Sequence, residues 1–323
     1  MPFLMEDAPP IYRGRIAPTP TGHLHLGHAR TFWKAQQRAM AQRGTLILRM
    51  EDLDGPRCKP AFVRACYEDL SWFGFRWQEG PDVGGPHTPY LQSTSTSLYQ
   101  ATMTQLKAKG CLYPCTCSRK DIQQTQRAPH AADDEWLYPG TCRPSDSASI
   151  REITDQPHCW RFKVPKGEHI AFEDRRLGPL SYEAGRDFGD FVIWRSDGVP
   201  SYQLAVTVDD HRMQVTEVVR GEDLLVSTAR QLLIYRALGW QAPDFYHCPL
   251  VCDAHGQRLA KRDASLSLRT LRQQGSQPEA LRDALSLIHI SEPTRPYYMS
   301  YAVFCLKKKE GGAGGGGGGG GGG

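Results

Sequence analysis

The chain has 323 residues, 40% of them apolar and 23% charged, with a formal net charge of +4, the composition of a globular protein with a sizeable core. So small a charge excludes a generally basic nucleic-acid coat, and any RNA contact has to be a local patch. No stretch reaches the roughly 18 apolar residues of a membrane span, and the first residues lack the basic and apolar segments of a secretory signal. With 10 cysteines and no such signal, reduced thiols or a metal site in the cytoplasm are expected rather than a disulfide framework.

Residues 1–10 read as a disordered N-terminus. Residues 13–17 read as a strand running into Pro18-Thr19-Pro20-Thr21-Gly22, a stretch whose prolines keep it out of helix. A helix is predicted from near Leu26 to Arg43, stopping at Gly44. Residues 45–50 have the length of a buried strand, and residues 62–73 have helical spacing, with Phe62, Cys66, Leu70 and Phe73 on one face. Strand, helix, strand, helix within about 60 residues predict a βαβ unit and a parallel sheet, hence an α/β fold. From about 110 to 196 the chain is Pro-rich, Cys-containing and short of helical period, as expected of an inserted subdomain. The α/β pattern returns with residues 203–208 and 215–220. A helix over 227–238 follows, with Ser227 as its cap and Gly239 as its stop. The core is thus expected over 11–109 and 197–284.

From Leu285 the text changes character. Residues 285–295 and 300–309 resemble a sequencing-library adapter translated in frame, with Lys307, Lys308 and Lys309 as poly-A codons. The glycines from 311, broken only by Ala313, would be poly-G. A flexible linker accounts for the glycine run alone. Residues 285–323 are therefore expected to be a disordered artefact and are set aside from fold reasoning.

Chemistry concentrates in two places. In the first, a strand feeds a Pro/Gly turn and then His25-Leu26-Gly27-His28 at the start of a helix. Unpaired N–H groups and the positive dipole end of a helix accept phosphate. Gly27 lets a nucleotide approach the backbone, and His25 and His28 can donate to phosphate oxygens in an in-line transition state. Histidines that merely cap or pack are the alternative. The second is the basic run Arg258-Leu259-Ala260-Lys261-Arg262, able to close over ATP phosphates and to stabilise departing pyrophosphate. Alone it would read as solvated surface.

Together these motifs resemble the class I aminoacyl-tRNA synthetases, in their glutamyl branch. His25–His28 matches the first signature. Residues 258–262 match the second, with Arg258 for its first lysine and Ala260 for its serine. The segments Arg15-Ile16-Ala17-Pro18-Thr19, Arg49–Asp54, Tyr202–Asp210 and Val219–Asp223 are similar to the glutamate-recognising segments, and the likeness runs from about Tyr12 to Leu281. It implies a Rossmann-type parallel sheet catalytic domain with an inserted zinc-containing subdomain and no anticodon-binding domain. It also implies that His25, His28 and Lys261 are catalytic, and that Gly27, Arg258 and Lys261 bind ATP, supplied as Mg-ATP. L-glutamate would be held by Arg15, Ile16, Ala17, Pro18, Thr19, Glu51, Tyr202 and Arg220. Arginine forks suit the two carboxylates and Glu51 the amine; Glu51 follows a strand, where α/β sheets bind ligands.

The inserted region carries Cys115-Thr116-Cys117 and then Tyr138 and Cys142. Two thiols one residue apart can share a metal, although the spacing is tighter than the common two-residue gap, and free buried cysteines are the alternative. The sequence is similar to the glutamyl-queuosine tRNA(Asp) synthetases, which implies one structural zinc on Cys115, Cys117, Tyr138 and Cys142. Glu135 and His130 are reserve ligands, and Cys111 reads as core. That subgroup transfers glutamate to the queuosine base of tRNA(Asp) after activation without tRNA. Tyr138 with Cys142, residues 189–192 and residues 219–230 favour it, while Glu222 points to an ordinary glutamyl-tRNA synthetase cut short. A small-molecule nucleotidyltransferase would not need the glutamate segments, and an RNA-binding zinc module would not need Lys261 or the histidines. A cytoplasmic monomer without membrane contact is expected.

Overall fold

A computed structural model describes residues 11–118, 120–122, 137–145, 155–250 and 267–287. The expected disordered N-terminus over 1–10 and all of the adapter-like tail after Leu287 lie outside the described residues.

Strand β1 (Arg13–Ile16), helix α1 (Leu26–Ala41) and strand β2 (Thr45–Leu48) form the first parallel unit, with Arg13 opposite Thr45 and Ile16 opposite Leu48. Helix α1 buries Leu26, Ala29, Phe32, Ala35 and Ala39 against the strands, the stripe that a 3.6-residue period places on one face. It ends earlier than the expected Gly44. Arg43 takes the left-handed turn at φ 50, while Gly44 sits where a Cβ would lie 2.3 Å from the Tyr12 carbonyl oxygen. The glycine is thus needed for close approach rather than as the stop.

Helix α2 (Pro60–Phe73) starts with Pro60 in its first turn and closes on Gly74 at φ 96. Its buried face carries Ala65, Cys66, Asp69, Leu70 and Phe73, while Phe62 edges onto the His23 ring. Helix α3 (Thr96–Ala108) leads to β3 (Leu112–Cys115), which pairs antiparallel with β4 (Cys159–Phe162); β4 pairs in turn with β7 (Phe191–Trp194). The span read as an insert also contains a hairpin, β5 (His169–Asp174) and β6 (Gly178–Glu183), that joins another sheet.

Residues 203–208 fall in helix α4 (Tyr202–Arg212), which is buried continuously from Gln203 to Asp210. Helix α5 (Leu225–Leu238) begins two residues before Ser227, so that serine is not its cap; it is buried and accepts from Gln203 Nε2 at 3.0 Å. Gly239 does close the helix, at φ 72. Strands β8 (Glu217–Gly221) and β9 (Asp244–Cys248) run parallel, and the order of their sheet is β6-β5-β9-β8. Asp174 stands opposite Phe245 where β5 meets β9 in parallel. Strand β1 lies beside β8, starting from the same end, with Thr216 N–H bonded to the Arg13 carbonyl at 2.9 Å. The architecture is therefore a mixed α/β sheet whose parallel centre is extended by a hairpin. Helices α6 (Leu268–Gln273) and α7 (Pro278–Leu287) follow. Leu285, beyond the expected boundary at 284, is buried with Leu281 and Leu271 in the main core.

Candidate active site and metal centre

The prolines after β1 deliver the chain to His25, the cap of α1. Its side chain accepts the Gly27 N–H at 3.2 Å through Nδ1, and His28 Nδ1 accepts the His25 N–H at 3.3 Å. The two rings lie 3.8 Å apart between centroids. The histidines therefore hold each other at the helix N-terminus, where the dipole is positive. A Cβ on Gly27 would lie 3.0 Å from the His25 ring, so any larger residue here would press the capping imidazole out of place by a few tenths of an ångström. Arg258 and Lys261 lie outside the described residues. Of the residues flanking them, Leu250 bonds Glu222 Oε1 at 3.1 Å. Ser267 bridges His25, and Leu268 N–H bonds the Leu24 carbonyl at 2.7 Å. Glu222 also pairs with Arg176 at 2.5 Å, which gives the residue that pointed to an ordinary synthetase a structural task in this chain.

At the ends of the parallel strands, backbone bonds bring the Arg15–Thr19 and Arg49–Glu51 segments together. Arg49 N–H bonds the Ile16 carbonyl and Glu51 N–H the Pro18 carbonyl, both at 3.0 Å, while the Thr19 carbonyl accepts from Thr21 N–H at 2.8 Å. Ala17 links the two bridged positions. Arg15 donates to Asp210 Oδ1 at 3.2 Å and to the Val219 carbonyl at 3.1 Å. Arg49, wholly buried, donates to Asp210 at 2.6 Å and to Glu51 Oε1 at 2.9 Å, and lies 3.9 Å from Asp209. Arg49, Asp209 and Asp210, which carry no role in the sequence reading, frame the site. Burial alone would raise the Asp210 carboxyl, but Arg49 and Arg15 hold it below its ordinary range. For Glu51 burial outweighs the same two arginines and its carboxyl is raised.

Arg220 is 4% exposed and is surrounded by neutral partners: Gln231 Oε1 at 2.8 Å, Thr228 Oγ1 at 2.6 Å and His247 Nε2 at 3.2 Å. Tyr202 lies beside it. Among the described residues no carboxylate pairs with it, and burial lowers its pKa. A desolvated guanidinium with no carboxylate in contact among the described residues is a standing demand for an anion.

In the inserted region the sulfurs of Cys115, Cys117 and Cys142 lie within 4.8 Å of one another, and Cys117 and Cys142 are 3.5 Å apart. The Tyr138 hydroxyl is 3.3 Å from Cys115 Sγ and 3.7 Å from Cys117 Sγ, and accepts the Cys142 N–H at 2.8 Å. The 3.5 Å between Cys117 and Cys142 is close to the separation of two thiolates on one tetrahedral ion with metal–sulfur bonds near 2.3 Å, so the three cysteines could hold a metal, with the Tyr138 hydroxyl beside them. Two neighbours had no sequence signal. Cys159 stands opposite Cys115 in the β3–β4 ladder. Arg161 donates to Cys115 Sγ at 3.2 Å and lies 3.9 Å over the Tyr138 ring. A hydrogen bond from Cys159 is the largest of the influences that push the Cys115 thiol down to about 4, with Tyr138 and Arg161 adding to it, whereas burial pushes Cys117 up to about 11. His130 and Glu135 lie outside the described residues, and Cys111 packs into an apolar cluster.

The family described as tRNA synthetases class I (E and Q), catalytic domain, matches residues 12–300. The chain belongs to this family. It is 47% identical over 290 residues to the glutamyl-Q tRNA(Asp) synthetase of Symbiobacterium thermophilum, covering 88% of this chain and 89% of that one. A second protein of that name, from Nitratidesulfovibrio vulgaris, is 46% identical over 267 residues and 82% of each chain. The likeness thus places the chain in the glutamyl-Q group of the class I synthetases. Glutamate–tRNA ligase 1 of Halorhodospira halophila is 41% identical, but this chain covers only 58% of it. Among solved structures, the glutamate–tRNA synthetase of Elizabethkingia anophelis matches with a TM-score of 0.75 at 29% identity, over 91% of this chain and 65% of that one. The chain spans slightly less than two thirds of that structure. Among the described residues no helix is long and apolar enough to cross a membrane.

Proposed function

We propose that the chain activates L-glutamate with Mg-ATP in the absence of tRNA, and then transfers the glutamyl group to the queuosine base of tRNA(Asp). The observation that carries this reading is Arg220, a buried guanidinium with no carboxylate partner among the described residues, set among Arg15, Glu51 and Tyr202. Arg15 and Arg220 receive the two substrate acids, Glu51 faces the ammonium, and Tyr202 lines the wall. The backbone of Ile16, Ala17, Pro18 and Thr19 forms the adjoining edge.

In the first step a glutamate carboxylate oxygen attacks the α-phosphorus of ATP, and the bond to pyrophosphate breaks. His25, His28 and the α1 N-terminus stabilise the charge that develops on the α-phosphate, Gly27 admits the nucleotide, and Arg258 and Lys261 attend the leaving pyrophosphate. Positioning and electrostatics supply the catalysis, and no covalent enzyme intermediate is required. In the second step a hydroxyl of the queuosine cyclopentene ring attacks the acyl carbon and AMP leaves. Cys115, Cys117, Tyr138 and Cys142 would hold one structural zinc ion, which would tie β3 to the 138–142 turn and support the RNA-facing subdomain. The same reading has the chain working as a cytoplasmic monomer.

ATP–pyrophosphate exchange tests the proposal. Glutamate-dependent exchange without RNA, followed by labelling of queuosine-containing tRNA(Asp), is the expected result. Exchange that appears only with tRNA(Glu) would favour an ordinary glutamate–tRNA ligase, the reading supported by the 41% identical relative. No glutamate-dependent exchange under either condition rejects both.

A further inference from the structure

Arg220 is anchored by a buried pair that the proposed reaction does not use. His247 Nδ1 lies 2.7 Å from Asp174 Oδ2, and the His247 backbone N–H bonds the same oxygen at 3.0 Å. Asp174 Oδ1 accepts the N–H groups of Arg176 and Leu177 at 3.0 and 2.9 Å. This carboxylate is 1% exposed and His247 is fully buried. Its other three contacts are all backbone N–H donors, and an ionised carboxylate, which only accepts, can hold the ring at 2.7 Å only if Nδ1 carries the proton. The ring proton therefore resides on Nδ1, which leaves the Nε2 lone pair aimed at Arg220 Nε at 3.2 Å and Thr228 Oγ1 at 3.0 Å.

A guanidinium has five N–H bonds in a rigid plane. Three are used by His247, Gln231 and Thr228, which fixes the plane and leaves one N–H on each terminal nitrogen. We infer that Asp174 and His247 are positioning residues for carboxylate recognition: Asp174 locks the His247 tautomer, and His247 anchors the Nε edge of Arg220 so that its two remaining N–H bonds meet the substrate acid. If the imidazole carried its proton on Nε2 instead, two donors would face each other and the fork would be displaced. Both members are buried and His247 bonds Arg220, so the pair acts on acid binding through Arg220. This rests on the glutamate reading given above.

The test combines kinetics with a readout that does not depend on activity. In ATP–pyrophosphate exchange, His247→Ala is expected to raise the KM for glutamate by at least about tenfold with the KM for ATP within twofold of the parent. Asp174→Asn, which frees the tautomer, is expected to do the same. His247→Gln, whose carbonyl oxygen can replace the Nε2 acceptor, should recover most of the loss. In the unmodified protein, ¹⁵N-histidine NMR should show His247 neutral with its proton on Nδ1. A proton on Nε2, or a KM loss shared equally by ATP, or a folded His247→Gln protein no better than His247→Ala, overturns the inference. If the parent shows no glutamate-dependent exchange, the functional reading fails, and the NMR tautomer alone decides whether the Asp174–His247 lock exists.

Discussion

Replacing Glu51 with glutamine removes one negative charge from a buried site that sets Arg15, Arg49 and Arg220 against Glu51, Asp209 and Asp210. Glu51 Oε1 is occupied by Arg49 at 2.9 Å, and among the described residues no partner bonds its second oxygen, the one open to an ammonium. Two opposite unit charges about 4 Å apart attract by about 4 kcal/mol at an effective dielectric near 20. Desolvation and the competing Arg49 reduce this towards the 1.5–3 kcal/mol or so of a hydrogen bond to a charged group. Glu51→Gln should therefore raise the glutamate KM in pyrophosphate exchange roughly 10- to 150-fold. Glutarate, which has both acids and no amine, should inhibit the variant at least as well as the parent, because the site then carries an excess cation. An unchanged glutamate KM, or a parallel loss of glutarate binding, would refute the assignment of Glu51 to the amine.

Cys117→Ser should lower bound zinc from about one equivalent to near zero, whereas Cys159→Ser should keep it; metal analysis of the purified proteins decides, and a Cys117→Ser protein with stoichiometric zinc removes the proposed ligand set. Asp69 is fully buried in α2, neither of its oxygens has a hydrogen-bond partner among the described residues, and burial raises its carboxyl from 3.8 to about 6 despite Arg272 at 3.3 Å. The folded state thus holds this proton more tightly than the unfolded chain. The resulting stability is present below pH about 4 and lost as pH rises through about 6, at most about 3 kcal/mol. Asp69→Asn should gain on the parent over that interval in urea unfolding, and curves with the same pH dependence would contradict the assignment.

What the sequence made legible was local. The histidine turn, the first βαβ unit and the Cys-x-Cys pair each lie within a few residues or one period, so propensity and spacing suffice to find them. Helix α4 offered no amphipathic stripe because it is buried continuously from Gln203 to Asp210. The β5–β6 hairpin was hidden inside the inserted span, since joining the main sheet depends on its pairing with β9, far along the chain. Cys159 reaches the metal centre only through antiparallel register with Cys115, and Asp174 reaches His247 across 73 residues. Partners such as these have no spacing rule to reveal them, because tertiary packing alone brings them together.

Strand β1 has β2 on one side and β8 on the other, and Arg13 N–H bonds the side chain of Thr216, 203 residues later. At about 5–20 residues per second, the ribosome adds that length in roughly 10–40 s. During this interval the nascent β1–α1–β2 unit has an open strand edge, a template for pairing with other chains. Strand β1, which carries Arg15, therefore waits for 203 further residues before its second neighbour arrives, and until then its open edge is exposed to misassembly.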